Sequence, residues 1–210
     1  TGNVALGDAA LDDGSLSGGN NVAIGADALT ANTTGSEGTA VGQGALSANT
    51  TGQQNTAVGR KALEVNTSGN YNTAVGQRAL DANTTADGNT AVGEQALSAN
   101  TAAANTAVGL RAAQNNTTGI NNSAFGSYAL GLNTTGQGNS AFGGSQTIPA
   151  LYYNTTGSYN TAMGVAALLF NTTASENTAV GYGSLYNNTT AGANTALGER
   201  AMYSTTTGGA

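Results

Sequence analysis

Small apolar and polar positions follow one another along this chain in an order that restarts about every seventeen residues. The unit reads N-T-A-V-G-x-x-A-L-x-x-N-T-T-G-x-x. Its anchor glycine recurs at Gly7, Gly25, Gly42, Gly59, Gly76, Gly93, Gly109, Gly126, Gly143, Gly164, Gly181 and Gly198, at spacings of 18, 17, 17, 17, 17, 16, 17, 17, 21, 17 and 17. Twelve copies fill residues 1–210, which reads as a single repeat domain with no linker. Two residues before the anchor stands Ala in every copy, from Ala5 to Ala196. One residue before it the chain is always apolar: Leu6, Ile24, Val41, Val58, Val75, Val92, Val108, Phe125, Phe142, Met163, Val180 and Leu197. Four before it stands Asn in eleven copies, with Gly38 the exception.

This period is not that of one helix face, which would repeat its apolar positions at three and four. The T-A-V stretch is β-prone. The x-A-L-x stretch has helix-favouring residues, but four to six residues between Gly and Asn-Thr-Thr are too few for a stable helix. The pattern therefore predicts two short strands and two turns per unit, stacked one unit per coil. The fold class is all-β, a parallel β-solenoid of about twelve 17-residue coils and roughly 58 Å in length. Equivalent positions then lie about 4.8 Å apart, so identical amides can bond one another up the stack. Asn55, Asn66, Asn72, Asn83 and Asn89 are the ladder and turn residues this predicts, with Asn also suiting turns that need positive φ. A threonine column such as Thr50, Thr67 and Thr84 can do similar work with its hydroxyls. The anchor glycine fits a bend or a close backbone approach.

Each coil offers one Val-sized and one Leu-sized side chain plus two alanines, a thin core against the entropy of ordering seventeen residues. Strand alternation puts Thr and Val on one side and Ala and the anchor Gly on the other, and leaves open which side faces inward. Ile24, Val41, Val58, Val75, Val92, Val108, Phe125, Phe142, Met163, Val180 and Leu197 are thus candidates for filling the coil or for assembly. The thin core predicts that several copies pack side by side.

Composition narrows the chemistry. The chain has 32 Gly, one Pro and no Cys, His or Trp, and a formal net charge of −6. Without thiolate or imidazole there are no Cys/His zinc or haem sites and no Ser–His–Asp or Cys–His catalysis. The expectation is no enzyme activity, no metal and no cofactor. Five basic residues against eleven acidic ones argue against a nucleic-acid partner. No apolar run approaches a membrane span, and no signal-peptide pattern opens the chain.

The five basic residues, Arg60, Lys61, Arg78, Arg111 and Arg200, all fall one or two positions after an anchor, where Asp8, Asp27, Glu94 and Glu199 also occur. That stripe reads as solvated surface. A four-residue insertion makes 144–149 a predicted loop, and it holds Pro149. Tyr152 and Tyr153 follow it, and seven of the eight tyrosines lie after residue 127. Tyr152, Tyr153 and Tyr159 are candidate ligand or glycan contacts, since tyrosine stacks on sugars and buries at interfaces. Asn-x-Thr/Ser sequons recur at Asn32, Asn49, Asn66, Asn83, Asn116, Asn133, Asn154, Asn171 and Asn188, and turn and ladder chemistry accounts for them without glycans.

Asn21-Val22-Ala23-Ile24-Gly25, Asn3-Val4-Ala5-Leu6-Gly7 and the degenerate Asn55-Thr56-Ala57-Val58-Gly59 and Asn122-Ser123-Ala124-Phe125-Gly126 resemble the head repeat of trimeric autotransporter adhesins of the YadA type. The resemblance implies a left-handed parallel β-roll assembled as a homotrimer, with the N-V-A-I-G strand toward the threefold axis. Related 17-residue repeats resemble phage tail-fibre proteins. The family's unit is nearer fourteen residues, and its neck, stalk and membrane anchor have no counterpart among these repeats. The expected function is a structural fibre or adhesin segment, extracellular or on the cell surface, with itself and a host-surface or glycan ligand as partners. The alternatives are the shaft or receptor-binding segment of a phage tail fibre, on a virion, and an ice-binding solenoid built on the threonine rows. Joining Gly198 to a following Gly7 would give a spacing of 19, within the range of the others, so the expectation is either a piece of a longer fibre or end-to-end stacking into a filament.

Overall fold

The computed structural model describes residues 2–14 and 17–206. Thr1 and Thr207–Ala210, on which the end-to-end expectation rests, lie outside the described residues. The chain is an all-β parallel solenoid of about eleven turns, without helix among the described residues. Where the repeat reads as one domain, the structure divides into two compact units, Thr1–Ala104 and Asn105–Ala210. The division falls in the shortest spacing of the sequence, the sixteen residues from Gly93 to Gly109.

The first unit holds β1 (Val4–Leu6), β2 (Val22–Ile24), β3 (Thr39–Val41), β4 (Thr56–Val58), β5 (Thr73–Val75) and β6 (Thr90–Val92). The second holds β7 (Thr106–Val108), β8 (Ser123–Phe125), β9 (Ser140–Phe142), β10 (Thr161–Met163), β11 (Thr178–Val180) and β12 (Thr195–Leu197). Inside each unit consecutive strands pair in parallel with equivalent residues opposite one another, Ala57 with Ala74 and Ala162 with Ala179.

Each coil has one strand, not the two that the sequence predicts. The A-L stretch is a chain of turns because alternate residues take positive φ, as at Lys61 (60°) and Leu63 (51°), or Arg78 (56°) and Leu80 (54°). The Ala62 N–H closes a turn onto the Gly59 carbonyl, and the Leu63 N–H then reaches the Ala79 carbonyl one coil on. A left-handed leucine costs roughly 1–2 kcal/mol. Burying its side chain returns about 1.5–3 kcal/mol, so burial wins. Leu29, Leu46, Leu63, Leu80, Leu97, Leu130, Leu151, Leu168 and Leu185 are all at most 1% exposed.

The strand alanines, such as Ala57 and Ala162, are fully buried and line the coil interior. Of the two roles open to the apolar column before the anchor, filling the coil is therefore excluded. Ile24, Val41, Val58, Val75, Val92, Val108, Phe125, Phe142, Met163, Val180 and Leu197 lie on the outward face with the strand Thr and Ser. The reason is width: with leucine occupying the interior, alternation on a three-residue strand leaves room inward only for a methyl group.

The anchor glycine is fixed twice over. At Gly59 φ is 136°, and a Cβ there would stand 2.6 Å from the Gly76 carbonyl oxygen of the next coil. Only glycine combines that conformation with that approach.

Candidate functional site

Two columns of asparagine run through the interior of each unit. In one, Asn66 Nδ2 donates to Asn49 Oδ1 and Asn83 Nδ2 to Asn66 Oδ1, both at 2.9 Å. In the other, the backbone N–H of Asn72 donates to Asn55 Oδ1 and that of Asn89 to Asn72 Oδ1, again at 2.9 Å. The columns meet on shared carbonyls. The Gly69 oxygen accepts Nδ2 of Asn66 at 3.0 Å and Nδ2 of Asn55 at 2.7 Å. The second unit repeats this on Gly136, which accepts from Asn133 and Asn122. These amides are at most 2% exposed, and the bonds they make are what makes their burial tolerable, although Asn83 Oδ1 stays unpaired. None of the five ladder asparagines has positive φ, so their role is bonding and not turn geometry.

The same burial answers the sequon question. Asn32, Asn49, Asn66, Asn83, Asn116, Asn133, Asn154, Asn171 and Asn188 are at most 2% exposed. Their Nδ2 atoms are engaged, as Asn171 is with Asn154 Oδ1 at 2.8 Å and with the Ala174 carbonyl at 3.0 Å. The folded coil cannot accept a glycan there. The threonine column after them bonds through hydroxyl and backbone: Thr50 Oγ1 donates to the Thr67 carbonyl and Thr67 Oγ1 to that of Thr84.

The outward strand face carries no charge. Its positions are Val, Thr and Ser on one side of the alanine and the apolar column on the other. Ile24 is 37% exposed, Val58 36% and Met163 46%, and Phe125 and Phe142 stack in parallel with centroids 4.8 Å apart.

On the turn side of the second unit lies a row of rings. Tyr128 meets Tyr152 edge-on at 6.3 Å, Tyr152 meets Tyr153 at 4.9 Å, and Tyr153 stacks on Phe170 at 5.2 Å. Phe170 then meets Tyr186 edge-on at 5.2 Å, and Tyr186 stacks on Tyr203 at 4.7 Å. Arg111 and Arg200 lie against Tyr128 and Tyr203, at 5.8 Å and 5.7 Å from the ring centroids. Burial pushes the Tyr186 phenol above its ordinary pKa, with neighbouring Tyr203 adding to the shift. An open groove of about 410 Å³ follows the row, lined by Tyr153, Phe170, Thr172, Asn187, Thr189 and Thr206.

Of the three tyrosines singled out in the sequence, the structure brings Tyr152 and Tyr153 into this row. Tyr159 lies in another column, where its hydroxyl accepts from Gln137 Nε2 at 3.0 Å. Tyr128, Phe170, Tyr186 and Tyr203 belong to the row and were not among the sequence candidates. Aligning the coils on their anchors brings the last three together, since each stands one or two residues after Leu168, Leu185 or Met202. The 144–149 segment is held by Ser145, whose Oγ accepts the Thr147 and Ile148 N–H groups, and Pro149 is buried.

The basic and acidic stripe is on the surface. Lys61 pairs with Glu64 at 2.9 Å, and Arg78 lies 3.9 Å from Asp81. Among the described residues no cluster of carboxylates could hold a metal, and no helix is long and apolar enough to cross a membrane. Comparison with protein-family models, with curated proteins and with solved structures finds no match.

Proposed function

We propose that this chain is a structural segment of a displayed or secreted fibre, of the adhesin kind, which assembles side by side with further copies of itself. The observation that carries the reading is the outward strand face: uncharged in every strand, half-exposed in its apolar column, and built from the same two positions throughout each unit. Such a face suits packing on a second copy, because every row offers an uncharged Val, Thr or Ser beside an apolar group. Covering it with a second copy buries apolar surface without stranding a charge, at about 25 cal/mol per Å². The resemblance to YadA-type heads favours three copies about an axis along the strand face.

The chemistry inside the coil agrees with a passive role. Among the described residues most of its polar groups are engaged in the ladders, and no acid–base pair lies in the interior. Display outside the cell follows from the fibre reading.

Sedimentation equilibrium and light scattering test the proposal. The expected mass is that of three chains. Val58→Asp with Phe142→Asp is expected to give folded single chains, since both positions face outward. A folded single chain for the unaltered protein at micromolar concentration would overturn the reading.

A further inference from the structure

We propose that the aromatic groove of the second unit binds a neutral oligosaccharide, laid along the coil axis over Tyr153 and Phe170. The fibre reading gives this ligand its setting, but the groove is built from one chain, and none of its lining belongs to the strand face.

Four features of the groove converge on that ligand class. First, Tyr153 and Phe170 are parallel within 11° and are 40% and 37% exposed, so part of each ring remains open to solvent. Aromatic carbon surface of this kind suits the apolar C–H face of a pyranose. Second, the lining includes a row of threonine hydroxyls held in one orientation. Thr172 Oγ1 donates to the Thr189 carbonyl and Thr189 Oγ1 to the Thr206 carbonyl, each at 3.1 Å. With their protons spent inward, these oxygens remain acceptors for sugar O–H groups. Third, the Asn187 side chain on the groove wall offers a donor and an acceptor from one amide. Fourth, no charged residue lines the groove. A uronate or a phosphate would find no cation there.

An extended peptide fits less well. Strand addition needs free backbone N–H groups, and four of those along the groove are already paired. The Thr172 N–H donates to the Thr189 carbonyl, the Thr189 N–H to that of Thr206, the Phe170 N–H to that of Tyr186, and the Asn187 N–H to that of Tyr203. The lining repeats coil by coil, Thr172, Thr189 and Thr206 occupying equivalent positions. The groove thus offers a linear polymer the same threonine hydroxyl at each step of about 4.8 Å, beside a ring at two steps and the Asn187 amide at the third.

Calorimetric titration with cellohexaose and chitohexaose as neutral probes, and hexagalacturonate as the charged one, tests the proposal. The chain has no tryptophan, so tyrosine fluorescence gives a second readout from the same sample. Saturable binding of at least one neutral hexaose is expected. Tyr153→Ala with Phe170→Ala should weaken it about tenfold or more. Tyr71→Ala in the first unit should leave it unchanged. Should the alanine pair not fold, Tyr153→Leu with Phe170→Leu keeps the bulk and removes the rings. Affinity retained in a folded ring-less variant, tighter binding of the uronate, or no saturation by either neutral probe would overturn the proposal. Light scattering on the same solutions reports assembly separately, so a single chain that binds, or a trimer that does not, tells the two proposals apart.

Discussion

The two units share an interior and differ outside. Both bury the same alanine, leucine and asparagine columns and both close each coil on an anchor glycine. Away from the strand face their surfaces diverge. The first unit carries nine of the eleven carboxylates and three of the five basic side chains, and with them the whole net charge of −6. The second carries two of each sign, but also seven of the eight tyrosines and all three phenylalanines. Coil geometry is therefore dictated from within, and the outer positions are free to specialise. One unit presents charge to water; the other presents rings.

The comparison is tested hardest by changes to what the units share. Leu63→Ala and Leu168→Ala should each cost about 2–5 kcal/mol, because both side chains are fully buried and neighbouring coils cannot collapse onto the gap. Hydrogen exchange resolved by segment, together with urea unfolding, should give similar losses in the two units. A large loss in one and almost none in the other would end the claim of a common interior. Gly59→Ala and Gly164→Ala should follow at about 3 kcal/mol each. The backbone at these positions has φ of 136° and 133°, and the new Cβ would meet carbonyl oxygens at 2.6 and 2.7 Å.

Gly38→Asn sharpens the comparison by repairing the first unit alone. A Cβ there meets nothing closer than the Asn21 side chain at 3.1 Å, and φ is not positive. The Gly38 N–H already donates to Asn21 Oδ1, so the backbone is in place and only the amide is missing. Restoring the column should stabilise the unit by about 1 kcal/mol in the same unfolding measurement. No gain would mean that the ladder bonds contribute nothing net.

The smallest effect belongs to the surface that only the first unit has. Burial raises the Asp81 pKa above its ordinary 3.8, although Arg78 pulls the other way. The folded state then holds this proton more tightly than the unfolded one. Stability falls as pH rises from 3.8 through the raised folded value, and stays lower at neutral pH. Asp81→Asn should remove that slope and stabilise the first unit at neutral pH by less than about 1 kcal/mol. Unfolding from about pH 3 to about pH 7 checks it, with the second unit as the internal reference.

Much of the architecture was legible in the sequence because identical positions stack, so each physical demand was written in every copy. The anchor glycine is the clearest case, where a bend or a close approach was read from its recurrence alone. Other features were legible only by halves. The Asn columns were recognisable as ladders, but a polar amide next to turn residues gives no sign that it is fully buried. The Thr-Ala-Val triplet defines two faces, and nothing in three residues says which is inside; the leucine that fills the interior decides it from across the coil. The second strand was misread because leucine at positive φ contradicts its local preference, and the compensation lies in burial against neighbouring coils. Most of the aromatic row was missed for a similar reason. Apart from the adjacent Tyr152 and Tyr153, its successive members are about a coil or more apart in the chain, and only stacking makes them neighbours.

The shared Gly69 and Gly136 carbonyls have one more consequence. Bonds in these columns join a position either to its counterpart one coil away or to a carbonyl in its own coil, as Asn66 is joined to Gly69. Where the columns are unbroken, no coil carries a mark of its place in the series. A duplicated block of seventeen residues would meet neighbours like its own, whereas a shift of the columns against each other would unpair buried amides. Gene segments of this kind gain and lose whole repeats readily by unequal recombination. The fold makes such events silent inside the protein while altering how far its outer surface extends, so reach becomes a trait that copy number alone can tune.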